Sequence, residues 1–378
     1  MVASPAAVSP LPDGGRFVAL DSWRGLAALG VAAYHLEGGG VLFDGPPVTN
    51  MNSFVDFFFV LSGFVLAAAY GERLAQGFSI GRYMLLRLGR VYPLHLVMVL
   101  AYVGLELLFL VAGNAGWALR EPFTGTRDPM LIVTSLLMIG PWFDPPLDTY
   151  NMQSWSIAVE IWLYLGLALS LRFAGRVGWW LLPLASLAAI AAMSLPDWPA
   201  TYFPYQIMRG VAGFGLGIAI WRIRAGSWAR FASLPFRAVS LAELAAVALL
   251  IIVLTWVPYG QFTFLARELT FAAIVLVFAA DRGIVSRLLH TRPFVWLGVL
   301  SYSFYMVHAM VLGRLADALR FAGLGKLIVD GDRFIRSIDA DPWLASLLGL
   351  SMIAACLPVA WLAWRFVEWP ARDWSRTG

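Results

Sequence analysis

Ser53-Phe54-Val55-Asp56-Phe57-Phe58-Phe59-Val60-Leu61-Ser62-Gly63-Phe64-Val65-Leu66-Ala67-Ala68-Ala69-Tyr70-Gly71 carries a single charged side chain, Asp56, in an otherwise aromatic, aliphatic and small-residue run. A membrane helix needs ~20 mostly apolar residues to cross ~30 Å of hydrocarbon, and this run is long enough. Segments of the same character recur along the chain at residues 17–36, 90–112, 154–172, 178–195, 206–222, 240–257, 263–280, 295–313 and 343–366. The expected fold is therefore all-α, a polytopic integral membrane helical bundle of about ten transmembrane helices. The stretch from Met130 to Ile139 is too short to cross and runs into Pro141, so it reads as a re-entrant or interfacial segment.

Composition agrees. Hydrophobic residues make up 60% of the 378 positions and charged residues 13%, against roughly 45–50% and 25% in soluble domains. The net charge of +4 arises almost entirely from arginine, since Lys326 is the only lysine. The basic residues are dispersed rather than blocked into an arm, which argues against a nucleic-acid partner. Cys356 is the only cysteine, which excludes an intrachain disulfide or a thiolate metal cage and leaves it a small packing residue. The first apolar run holds Arg24 and His35, so it reads as a retained span rather than a cleaved signal peptide.

Arginine placement sets the expected orientation, because short cytoplasmic loops retain positive charge. Arg73, Arg82, Arg87 and Arg90, then Arg172 and Arg176, then Arg222, Arg224, Arg230 and Arg237, then Arg282, Arg287 and Arg292 all fall on one side. The opposing loops at 37–52, 196–205 and 258–262 carry none. Both termini are expected in the cytoplasm, with residues 1–16 as a leader, 17–370 as one transmembrane domain and 371–378 as a tail. The loop from Arg314 to Asp341 mixes both signs of charge and reads as a folded extramembrane segment.

Ionisable side chains inside a bilayer are costly, so each is a functional candidate or one half of a pair. Arg24 and His35 stand eleven residues apart, about three helical turns, so they share one face ~16 Å apart along the axis. Asp56 is near the same membrane face as His35, and Glu160 in Ser154-Trp155-Ser156-Ile157-Ala158-Val159-Glu160 is at comparable depth. Arg87 and Arg90 share a face at the cytoplasmic edge, where forked guanidiniums suit a nucleotide diphosphate as well as membrane anchoring. Tyr302, Tyr305 and His308 form a stripe with helical spacing that core packing would also produce. His95 and His290 read as structural or solvated.

These residues, in this order, resemble the acyltransferase 3 family of bacterial membrane proteins, which includes O-antigen, exopolysaccharide, nodulation-factor and macrolide acylases. Arg24 with ten residues before His35 looks like its opening motif, Phe54 to Phe64 like its second and Arg87-Leu88-Gly89-Arg90 like its Arg-x-x-Arg element. Trp155-Ser156 with Glu160 is similar to Trp-Ser-x-x-x-Glu, Leu300 to His308 to the penultimate motif and Phe366-Val367-Glu368-Trp369-Pro370 to the closing one. Trp23 replaces the more usual aliphatic residue, and no esterase-like domain is appended.

The resemblance implies a membrane-bound O-acyltransferase of the bacterial inner membrane. It would move an acyl group, acetyl first, from acyl-CoA as co-substrate to a hydroxyl of a carbohydrate or glycan precursor, with no permanently bound cofactor. His35 is then the expected general base, partnered by Glu160 or, second, Asp56. Arg24, Arg87 and Arg90 are donor-binding candidates. Trp155, Ser156, Tyr302, Tyr305 and His308 are candidates for the acceptor side or pocket wall. The rival reading is a transporter or flippase for a glycan or lipid-linked substrate.

Overall fold

The computed structural model describes residues 17–36, 39–111, 121–143, 150–195, 205–232, 234–258, 263–330 and 333–377, with backbone alone over 225–232, 326–330 and 333–337. The leader at 1–16 and most of the loops at 196–205 and 258–262 lie outside them.

The described chain is helical apart from one hairpin. The elements are α1 (Val18–Tyr34), α2 (Phe54–Leu66), α3 (Glu72–Ala75), α4 (Ile80–Val111), α5 (Met130–Leu137), α6 (Ser154–Phe173) and α7 (Gly175–Met193). They continue with α8 (Tyr205–Ala232), α9 (Phe236–Trp256), α10 (Phe264–Phe278), α11 (Ile284–Leu289), α12 (Arg292–Phe321), α13 (Pro342–Ala363) and α14 (Trp369–Thr377). Every segment expected to span coincides with one of the longer helices. Among the described residues, seven spans, counting Val48–Ala75 and Pro342–Thr377 as continuous, are long and apolar enough to cross a membrane. The expected count of about ten is thus not reached on length and apolarity. Helices α1 and α10 are short, at 17 and 15 residues, and α8 dilutes its apolar content with glycines and Arg209.

The expected short segment is the eight-residue helix α5, which ends at Met138 in a left-handed conformation. It is fastened to its neighbours through backbone carbonyls. Tyr92 donates to Leu136 O at 3.0 Å, His95 Nε2 meets Ser135 O at 2.9 Å and Trp162 donates to Met138 O at 3.1 Å. His95 is therefore a buried structural histidine. The loop between α12 and α13 holds the hairpin, strands β1 (Gly325–Asp330) and β2 (Arg333–Ile338), antiparallel with Gly325 opposite Ile338. Asp341 then caps α13 by accepting from Trp343 N and Leu344 N ahead of Pro342 in the first turn.

Two close helix crossings organise the interior. A Cβ on Gly25 of α1 would lie 2.6 Å from the Leu297 carbonyl carbon of α12, and one on Gly298 would lie 2.5 Å from Asp21 O. Each glycine therefore admits the other helix's backbone. The α2–α8 crossing repeats the device, with a Cβ on Gly63 reaching 2.0 Å from Phe214 O and one on Gly217 reaching 2.0 Å from Val60 O. Lipid supplies no hydrophobic drive for one helix to leave it for another, so close backbone packing and interhelical hydrogen bonds hold such bundles together. The start of α1 is fixed by Asp281, whose carboxylate accepts from Val18 N at 3.1 Å and Ala19 N at 2.8 Å and pairs with His290 at 2.7 Å.

The glycine crossing yields a comparison. Gly25→Val forces α1 away from α12 and should destabilise the protein by about 1–3 kcal/mol, the usual cost of overpacking. Gly104→Ala, at a site with nothing within 4 Å of the added Cβ, should leave thermal stability in detergent unchanged or raised. Equal melting temperatures for the two variants would remove the crossing as a constraint.

Candidate active site

A cavity with about 870 Å³ of unfilled space, open mouth included, runs between α1, α2, α4, α6 and α12. Its lining joins Arg24, Ser62, Arg87, Arg90, Ser156, Glu160, Ser301, Tyr302 and Tyr305 to an apolar wall that includes Val55, Phe58, Val65 and Val91. Residues far apart in sequence, taken from most of the quoted motifs, thus share one space.

At one end are the arginines. Arg24 is directed by the close α1–α12 crossing: its Nε donates to Ser301 Oγ at 2.8 Å, Nη2 to Gly298 O at 3.1 Å, and Nη1 pairs with Asp21 at 3.2 Å. Arg87 donates to Tyr70 Oη at 3.0 Å and stacks over that ring at 4.7 Å. Arg90 has no hydrogen-bond or ion-pair partner among the described residues, yet it lies within electrostatic reach of Glu160 and Glu368. Glu160 accepts hydrogen bonds from Ser62 and Tyr164. Glu368, buried and sitting in a π-turn between α13 and α14, accepts from Ser303 Oγ at 2.7 Å. The closing motif points to Glu368 in the sequence, but the reading of the motif alone gives it no role.

His308 and His35, the C-cap residue of α1, lie outside the cavity lining, and His35 is held by a contact that sequence reasoning missed. Its Nε2 lies 3.2 Å from Nε2 of Gln153, so with the amide nitrogen facing the ring the imidazole accepts. Gln153 precedes α6 as its N-cap residue but makes no cap hydrogen bond, leaving its amide free to face His35. A polar residue directly ahead of Ser154 reads as an ordinary cap, which hides this use. The Gln153 carbonyl accepts from Tyr305 Oη at 3.2 Å and Ser156 Oγ at 3.1 Å, and those two hydroxyls meet at 2.9 Å. Asn151 donates to Met306 O at 2.9 Å and ties this turn to α12. His308 donates from Nδ1 to Tyr305 O at 2.7 Å, and its ring stands edge-on to His35 at 5.2 Å. Tyr302 donates to Val91 O at 2.5 Å and anchors α12 to α4.

Among the described residues, His35 makes no hydrogen bond or ion pair with Glu160 or Asp56, the two carboxylates expected to partner it. Glu160 follows Gln153 by seven residues, so it lies ~10 Å along α6 from the turn that holds His35, and it faces the arginines. Asp56 accepts from Arg209 through both oxygens, at 2.8 and 3.1 Å, in a buried pair. Trp155 lies under the Arg209 guanidinium at 5.2 Å instead of in the cavity wall. Spacing places Asp56 at the right depth but does not reveal that α8 brings a cation to it.

The apolar helices and the charges buried among them define a multi-pass membrane protein with a largely apolar cavity between its helices. The chain belongs to the acyltransferase-domain family, which it matches over residues 17–365, and it is an acyl-transferring enzyme. It is 27% identical to acyltransferase MdmB of Streptomyces mycarofaciens over 331 residues, 79% of each chain. It is also 42% identical to protein 2 in the picA locus of Rhizobium radiobacter over 83 residues, 22% of this chain and 41% of that protein. No solved structure matches.

The Asp56–Arg209 geometry predicts a structural phenotype. Asp56→Ala removes the bidentate partner of a buried guanidinium, which also lies within electrostatic reach of the buried Glu268, and should cost about 3–5 kcal/mol of stability, whereas removing both charges in Asp56→Leu/Arg209→Leu should recover part of it. Thermal unfolding in detergent decides: a double variant no more stable than the single one would contradict the pairing.

Proposed function

We propose that this acyltransferase takes its acyl group, acetyl first, from acyl-CoA entering at the arginine end, and passes it to a hydroxyl of a carbohydrate or glycan precursor activated by His35. The observation that supports the reading is a cavity whose lining runs from Arg87 and Arg90 to Ser156 and Tyr305, the two hydroxyls bonded to the carbonyl of Gln153, whose side chain holds His35. In the reading, the guanidiniums hold donor phosphates and the pantetheine runs along the Val55, Phe58 and Val65 wall past Ser62.

An acceptor hydroxyl is a weak nucleophile until a base takes its proton in the transition state. Nε2 of His35 takes that proton as the oxygen adds to the thioester carbonyl. The C–S bond then breaks, and the imidazolium returns the proton to the departing sulfur, giving the ester and free CoA. In the resting structure the Gln153 amide donates to that same Nε2, so the acceptor hydroxyl displaces it before the proton moves; once His35 is protonated, the amide, turned about, offers Oε1 as acceptor. Glu160 belongs with the arginine end in this scheme, where it keeps the charge near balance. The orientation proposed from loop arginines puts the donor mouth in the cytoplasm of a bacterial inner membrane.

Purified protein given acetyl-CoA and acceptor should release free CoA, which a transporter would not, and His35→Ala should lower that rate by about 10²-fold or more. Arg87→Ala and Arg90→Ala should instead raise the apparent KM for acetyl-CoA. A His35→Ala variant retaining more than ~10% of wild-type activity would remove His35 as the base. Mass spectrometry of surface glycans and secreted metabolites from a deletion strain would identify the acceptor.

A further inference from the structure

Arg372 stands on α14, the helix formed by the expected C-terminal tail. That helix is packed tightly on the Arg87-Leu88-Gly89-Arg90 turn of α4. A Cβ on Gly89 would lie 2.4 Å from Ser375 Cβ and 2.7 Å from its Oγ, so only glycine lets α14 come this close. Arg82 Nη2 donates to Arg376 O at 2.9 Å and secures the same crossing. Arg372 precedes Ser375 by three residues and so shares its helix face, which turns it toward Arg90.

Its charged neighbours are Arg90, Glu368, Arg376 and Arg24, three cations against one carboxylate, and that carboxylate is already bonded to Ser303. The Arg372 guanidinium, like that of Arg90, has no hydrogen-bond or ion-pair partner among the described residues. An arginine that merely anchors a helix at the membrane surface snorkels outward to water. This one is only partly exposed and is held among like charges, an arrangement that is unfavourable until an anion enters.

We propose that Arg372 binds the 3′-phosphate of the acyl-CoA donor and makes the C-terminal helix part of the donor site. The proposal rests on the acyl-CoA reading above. Arg87 and Arg90 line the cavity itself, whereas Arg372 lies outside its lining. In CoA the diphosphate follows the pantetheine, and the ribose 3′-phosphate lies beyond it. The inner arginines therefore meet the diphosphate, and the outer one meets the 3′-phosphate.

The test is calorimetric titration of the full-length protein in nanodiscs with CoA and with 3′-dephospho-CoA. Wild type should bind CoA about tenfold or more tightly than the dephospho form, the scale of one charge-assisted contact. Arg372→Gln should bind both ligands as wild type binds dephospho-CoA, and that unchanged dephospho-CoA affinity also reports a folded site. Arg372→Lys should restore part of the preference. An Arg372→Gln variant that keeps the full preference for CoA would overturn the assignment while leaving the acyl-CoA reading intact. Equal affinity of wild type for the two ligands would do the same. A wild type that binds neither would overturn both.

Discussion

The close approach of α1 to α12 through Gly25 and Gly298 is the constraint on which the polar interior depends. It brings Arg24 within reach of Ser301 and the Gly298 carbonyl. It also sets the height of His35 three turns along the same helix, opposite His308. In hydrocarbon an unsatisfied donor costs several kcal/mol, so a charged side chain must find its partners inside the protein. Asp281 caps the start of α1 and the crossing fixes its middle. The end that carries His35 has little freedom left.

Charge in this interior is sorted by position. Asp56 and Arg209 neutralise each other through two short contacts away from the cavity. Glu160 in the cavity wall and Glu368 outside it lie within electrostatic reach of Arg24 and Arg90, with Ser62 and Tyr164 donating to the first and Ser303 to the second. A buried pair satisfied on both sides is scaffold. Arg90 faces the cavity without a bonded partner among the described residues, and that distinction separates it from Arg209 although both lie in apolar runs.

Much of this was legible in the sequence because hydrocarbon imposes a strict rule on length and polarity. Each apolar segment became a helix, the stretch ending near Pro141 became a short one, and Arg24, Arg87, Arg90, Ser156, Glu160, Tyr302 and Tyr305 came together around one cavity. Partner choice was not legible, since helical spacing gives depth and face but not the neighbouring helix. Hence Asp56 looked available to His35 when α8 had claimed it, and Trp155 looked like pocket wall when it backs Arg209. Gln153 was hidden because a polar residue at a helix start is ordinarily a cap. The tail was placed by the span count and the loop arginines, and its packing depended on what lay across Gly89.

The central claim is that one cavity links the arginine end to the turn that holds His35. Because Cys356 is the only native cysteine, a Cys356→Ser background allows single reporters at Ser62 and Ser156 in proteoliposomes of known orientation. Labelling by a membrane-impermeant thiol reagent from the arginine face, with and without CoA, measures the claim directly. Ser62→Cys should react from that face and be protected by CoA, with Ser156→Cys, deeper along the same cavity, reacting more slowly. Labelling of Ser62→Cys only from the opposite face, or with no protection by CoA, would contradict it.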